Sequence, residues 1–122
     1  MSIRVKRVYD APGGDDGRRI LVDRLWPRGL SKERARLDDW MKDIAPSDDL
    51  RKWFAHRVER WDAFRAAYLE ELKGHAGRLE EIEKLARRGP VTLLFAARDE
   101  AHNNAVVIAE YLARRRARGR GR

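Results

Sequence analysis

Two short segments hold most of the side chains able to do chemistry. The first reads Val22-Asp23-Arg24-Leu25-Trp26-Pro27-Arg28-Gly29. Arg24 and Arg28 offer fork-shaped donors that match a phosphate or a carboxylate, with Asp23 beside them to orient a ligand or to take a proton. The same residues equally suit a structural ion pair at a strand end, because an acid and a base inside an apolar strand need partners once buried. The second segment reads Arg98-Asp99-Glu100-Ala101-His102-Asn103-Asn104. A strand-to-helix turn of this kind presents free backbone N–H groups to an anion. A histidine there can move a proton near neutral pH. The plainer reading, which these residues alone favour, has Asp99 capping the next helix and the asparagines bonding local backbone.

A third region runs Lys42-Asp43-Ile44-Ala45-Pro46-Ser47, then Arg51-Lys52-Trp53-Phe54-Ala55-His56. Arg51, Trp53 and His56 can line a cleft, with the indole as a stacking wall, although a Trp–Phe pair is more often core. Several familiar sites are missing. No GxGxxG, GxxxxGK[ST] or HExxH occurs. The histidines stand at 56, 75 and 102 with no close pair, and His75 sits between glycines as a loop residue. Nothing at ligand spacing points to a metal, and no cofactor is implied. Ser31 and Ser47 lie on no nucleophile elbow and read as helix caps. Cysteine is absent, which excludes disulfides, thiolate catalysis and cysteine-held metals.

These segments must be positioned by a small scaffold. The 122 residues suit one domain. Strands are expected at 3–9, 20–26 and 91–97, the last almost continuously apolar, as a central strand covered on both faces reads. A Gly/Asp/Pro loop fills 11–19. Ser31 should start a helix through Met41. Ser47 with Asp48 and Asp49 should start another carrying Leu50, Trp53 and Phe54. A third helix places Trp61, Phe64, Tyr68 and Leu72 on one side, and a fourth ends at Gly89-Pro90. The last presents Ala105, Ile108, Ala109 and Leu112. The order argues an α/β fold with a small, mostly parallel sheet of about three strands covered by helices. Parallel strands would bring Tyr9-Asp10, Asp23-Arg24 and Arg98-Asp99 to one sheet edge, where such folds hold ligands. The direction of the first strand is left open, because the loop after it is short for a crossover.

Charged residues make up 39% of the chain, well above the usual quarter, and the net charge is +8. Six arginines, at 114, 115, 116, 118, 120 and 122, supply most of that excess and leave the rest at +2. The expected division is a domain over 1–112 and a disordered Arg/Gly tail over 113–122. No apolar run is long enough to span a bilayer and no signal-peptide pattern opens the sequence, so the expected compartment is the cytoplasm, without membrane contact.

Five stretches carry a family likeness: Lys6-Arg7-Val8-Tyr9-Asp10, Leu21 to Lys32, Lys42 to Ser47, Leu50 to His56, and Val91 to Asp99 with His102-Asn103. Together they resemble the domain of unknown function 488 family, YeaO-like branch, from about residue 3 to residue 112. The resemblance implies a small α/β protein and assigns no reaction. Other branches carry cysteines near the last strand and helix, where this chain has Phe95 and Asn103, so thiol chemistry does not carry over. Motifs spread over separate segments fit a convergent polar site. The candidate set is therefore Asp23 and His102 as proton carriers, with Arg24, Trp26, Arg28, Lys42, Asp43, Arg51, His56, Arg98 and Asn103 as ligand-binding residues. The leading expectation is an Arg-rich pocket at the carboxyl edge of the sheet for a phosphorylated or nucleotide-like small molecule. The alternative is unspecific nucleic-acid contact through the basic tail. A third reading makes the polar motifs structural staples. Whether the protein is an enzyme, and its oligomeric state, are left open.

Overall fold

The computed structural model describes residues 2–120. Four parallel strands form one sheet: β1 (Ile3–Arg7), β2 (Arg18–Leu21), β3 (Asp39–Trp40) and β4 (Val91–Phe95), in the order β1-β4-β2-β3. Five helices are present among the described residues: α1 (Lys32–Ala35), α2 (Asp48–Phe54), α3 (Trp61–Lys73), α4 (Ala76–Arg88) and α5 (Asn104–Arg120). None is long and apolar enough to cross a membrane. The α/β class and the central place of the last strand agree with the sequence. The strand count is four, not three, because a two-residue edge strand gives little signal.

The sheet has two unequal faces. Val91, Leu93 and Phe95 of β4, with Ile20 and Val22, join the larger core under α2 to α5. Leu94 and Leu21 point the other way, into a smaller core with Val8, Leu30 and Ala35. Alternation across a sheet covered twice explains why β4 is apolar at nearly every position.

The connection from β1 to β2 crosses β4 without a helix, in the ten residues 8–17. Parallel crossovers usually need a dozen or more, so the loop is tightly tied. Asp16 is buried and its carboxylate accepts from the Gly13 N–H at 2.9 Å, Lys6 Nζ at 3.1 Å and the Arg19 guanidinium at 2.5 Å. The Thr92 hydroxyl donates to the Asp16 carbonyl at 2.7 Å. Gly17 has φ +64°, and a Cβ there would stand 2.0 Å from the Pro90 carbonyl oxygen.

Two expectations need correction. The helix from Ser31 to Met41 stops after one turn at Ala35, and Arg36 is left-handed at φ 46°. Arg19 imposes this end. Its buried guanidinium donates to the Ala35 and Arg36 carbonyls, the groups a helix end leaves unpaired. Asp38 then accepts from the Arg19 N–H, and Met41 N–H bonds Leu21 O. The chain thereby becomes the edge strand β3. The second expected strand, 20–26, runs in β2 from Arg18 and ends at Leu21, so Asp23 and Arg24 lie beyond it rather than inside it.

Other expectations hold. Ser31 and Ser47 cap α1 and α2, each accepting a backbone N–H at 3.2 Å. Trp61, Phe64, Tyr68 and Leu72 lie on α3, and all but the half-buried Trp61 are fully enclosed. By contrast, the tail expected to be disordered from residue 113 is helical through Arg120, as the continuation of α5. Arg115 pairs with Glu83 of α4, and Arg114 with Glu110 one turn back, so arginines, good helix formers, extend the element. Residues 121–122 of the expected tail lie outside the described residues.

Candidate pocket at the carboxyl edge of the sheet

Because all four strands are parallel, the segments leaving β1, β2 and β4 emerge at one edge. They meet there around a cavity of about 540 Å³. Tyr9 comes from β1, residues 23–28 from β2, Ala96 and Ala97 from β4, and His102 to Asn104 from the turn into α5. Pro46, Arg51, Lys52, Phe54 and His56 close it from the side of α2, with Phe64 of α3 beneath.

Backbone hydrogen bonds fix the residues after β2. Ala96 N–H donates to the Asp23 carboxylate at 2.9 Å, and the Trp40 indole N–H donates to the Asp23 carbonyl at 2.7 Å. Asn104 reaches across to the Val22 carbonyl at 2.9 Å. Burial pushes the Asp23 carboxyl upward. The Ala96 N–H, the Asn104 amide and the charge of His56 only partly oppose this. An acid so placed holds its proton to higher pH than an exposed one, and when protonated it can donate as well as accept. Trp26 packs edge-on against Trp40 at 5.4 Å, and its N–H is bound to the Leu30 carbonyl. Its ring therefore serves as a fixed wall.

The turn after β4 is built on Asp99. Its carboxylate accepts from the N–H groups of Ala101 and His102 and contacts His102 Nδ1 at 2.9 Å. These bonds, that of His102 first, hold Asp99 below the ordinary carboxylate range. The Trp61 indole meets the imidazole edge-on at 5.1 Å. His102 is thus gripped by a carboxylate at Nδ1, the arrangement that orients an imidazole for hydrogen bonding or proton transfer at its other nitrogen. The helix cap differs from the expected one. Asn103, not Asp99, accepts from Val106 N–H and caps α5, while Asp99 caps the turn before it.

The cations are loosely held. Arg24 reaches the Ala45 and Pro46 carbonyls only at 3.4–3.5 Å. Arg28 is exposed, and its carbonyl accepts from the Tyr9 hydroxyl at 2.7 Å. Arg51 Nε is shielded from solvent and has no partner among the described residues. His56 and Ala55 both adopt positive φ, at 56° and 48°. Left-handed backbone at two successive non-glycine residues is a strained turn of the sort found at ligand sites.

The cavity gathers Asp23, Arg24, Trp26, Arg28, Arg51, His56, His102 and Asn103 from the sequence candidates. It leaves out three. Lys42 lies over the Trp40 ring at 4.8 Å, Asp43 pairs with Arg78 at 2.9 Å, and Arg98 is exposed outside the lining. Lys42 and Asp43 fall on a 3-10 turn after the edge strand, which carries them away from the opening. Trp53 is no stacking wall either. It is 44% exposed under the Arg60 guanidinium, and Phe54 takes the core position. Sequence reasoning missed the support of His102 by Trp61, whose helical spacing marked it only as core, and the span from Asn104 to Val22.

Fold and site together define a small parallel α/β protein with an apolar-walled, cation-rimmed pocket where its strands end. The chain belongs to the DUF488 family: residues 2–121 match the group described as the inactive DUF488-N3 subclade. It is 46% identical over 112 residues to the uncharacterized protein YeaO of Escherichia coli, covering 92% of this chain and 97% of that one. Uncharacterized proteins of Mycobacterium tuberculosis and Mycobacterium bovis are also 46% identical over 110 residues, 90% of this chain and 92% of theirs. No solved structure matches.

Proposed function

We propose that this protein binds a small phosphorylated, nucleotide-like molecule in the pocket at the carboxyl edge of its sheet. The observation that carries this reading is the charge imbalance of the lining. Arg24, Arg28, Arg51 and Lys52 stand around one carboxylate, Asp23, which burial already shifts toward its neutral form. Tyr9, Trp26, Phe54 and Phe64 add ring-sized apolar walls. An anionic group bound to the arginines with a flat ring against the walls uses both features. Asp23 and His102 then serve as hydrogen-bonding and proton-carrying groups toward the ligand. The description of the family group as inactive supports binding without turnover.

Nucleic-acid contact through the C-terminal arginines draws less support, since Arg114 and Arg115 already lie against Glu110 and Glu83. Calorimetric titration with adenosine 5′-monophosphate and with adenosine tests the pocket reading. The nucleotide should bind and the nucleoside bind at least about tenfold more weakly, as loss of charge-assisted bonds worth about 1.5–3 kcal/mol requires. Arg24→Ala should weaken the nucleotide alone. Equal binding of nucleotide and nucleoside, or no nucleotide binding at all, would overturn the reading.

A further inference from the structure

We propose that Arg24 and Arg51 form the anion subsite of the pocket, and that Asp48 is a resident counter-ion which an incoming phosphate must displace. The inference rests on the pocket reading above. Both guanidiniums converge on one oxygen, Asp48 Oδ1, with Arg24 Nε at 3.6 Å and Arg51 at 3.5 Å. Charge-assisted N–H···O bonds close to about 2.7–2.9 Å when nothing prevents it. Arg19 meets Asp16 at 2.5 Å and Arg78 meets Asp43 at 2.9 Å. Some exposed pairs are as slack, Arg57–Glu59 at 3.6 Å and Arg114–Glu110 at 3.5 Å, but of these arginines only Arg24 and Arg51 line the cavity.

The remaining donors of the pair are equally under-used. Those of Arg24 stop at 3.4–3.5 Å from two carbonyls, and Arg51 Nε has no partner. Arg24 and Arg51 line the cavity whereas Asp48 does not, so the carboxylate draws both forks from outside. Asp48 is 59% exposed at its side chain, where a weak ion pair breaks easily. The helix does not depend on it, since Ser47 supplies the cap and Asp49 also sits in the first turn. A phosphate entering the cavity offers several oxygens to two forks that now share one. Asp48 competes for the same donors and sets the affinity below its maximum.

The test is calorimetric titration of the full chain and of Asp48→Asn with adenosine 5′-monophosphate and with inorganic phosphate, at one pH and ionic strength. Asp48→Asn should bind both roughly threefold to tenfold more tightly, the range expected from releasing two weak exposed pairs. Arg51→Ala should lose the nucleotide while its thermal melt stays near that of the parent. Binding by Asp48→Asn where the parent is silent would also support the proposal. If the parent binds and Asp48→Asn binds equally or less tightly, the counter-ion is refuted and the pocket stands. If neither form binds either probe, pocket and counter-ion fall together.

Discussion

Asp16 and Asp23 show how burial can act in opposite directions on one residue type. Burial alone would raise Asp16, but the Gly13 N–H, Lys6 and Arg19 outweigh it and hold the carboxyl below its ordinary value. Asp23 has only neutral donors in contact and the more distant charge of His56, and burial wins. The signs of the pH dependence therefore differ. Stability from Asp16 is present above about pH 4, the ordinary carboxylate value, and is lost as pH falls through its lowered pKa. Stability linked to protonated Asp23 is complete below that value and is lost as pH rises through its raised pKa. Asp16→Asn should destabilise by about 3–5 kcal/mol at neutral pH, because it leaves Arg19 buried without its counter-charge, and the deficit should shrink in acid. Asp23→Asn keeps an acceptor for Ala96 N–H and should gain on the parent protein as pH rises toward neutral. Thermal melts of both variants from acid to neutral pH check this. Parallel trends for the two would show that the environments are not opposed.

At the scale of elements, local spacing was informative where one face of a helix meets one core. Trp61, Phe64, Tyr68 and Leu72 read correctly as α3, and the two serine caps marked the starts of α1 and α2. It failed where a distant buried group decides. The end of α1 is set by Arg19, whose side chain reaches carbonyls 16 and 17 positions away. No window around Ser31 contains that information. The crossover from β1 to β2 is similar: its length in sequence left the direction of the first strand open, and the Asp16 cluster that makes a parallel crossing possible is a tertiary feature. Gly17 is the tightest point of this loop. Gly17→Ala should destabilise by more than the roughly 1–2 kcal/mol of a left-handed alanine, because its Cβ also collides with the Pro90 carbonyl. A denaturant melt showing a loss under about 1 kcal/mol would mean that the loop tolerates side chains and is not held against Pro90.

For the whole molecule, the most useful inference from sequence was topological. Three polar clusters follow three apolar runs, and parallel pairing brings Tyr9, Asp23 and Arg24, and the turn carrying His102 to a single opening. Eight of the eleven candidate residues gather there, six of them for that reason and Arg51 and His56 because α2 packs beside the opening. Lys42, Asp43 and Arg98 do not, because a short edge strand and a turn redirect them, and neither has a strong sequence signature. The central claim is that this opening holds a phosphorylated ligand. Amide chemical-shift mapping of the ¹⁵N-labelled protein during addition of adenosine 5′-monophosphate tests it most directly. The account predicts saturable shifts concentrated at residues 23–28, 51–56 and 96–104, with α4 silent. Shifts confined to the arginines of α5, or none at millimolar nucleotide, would contradict it.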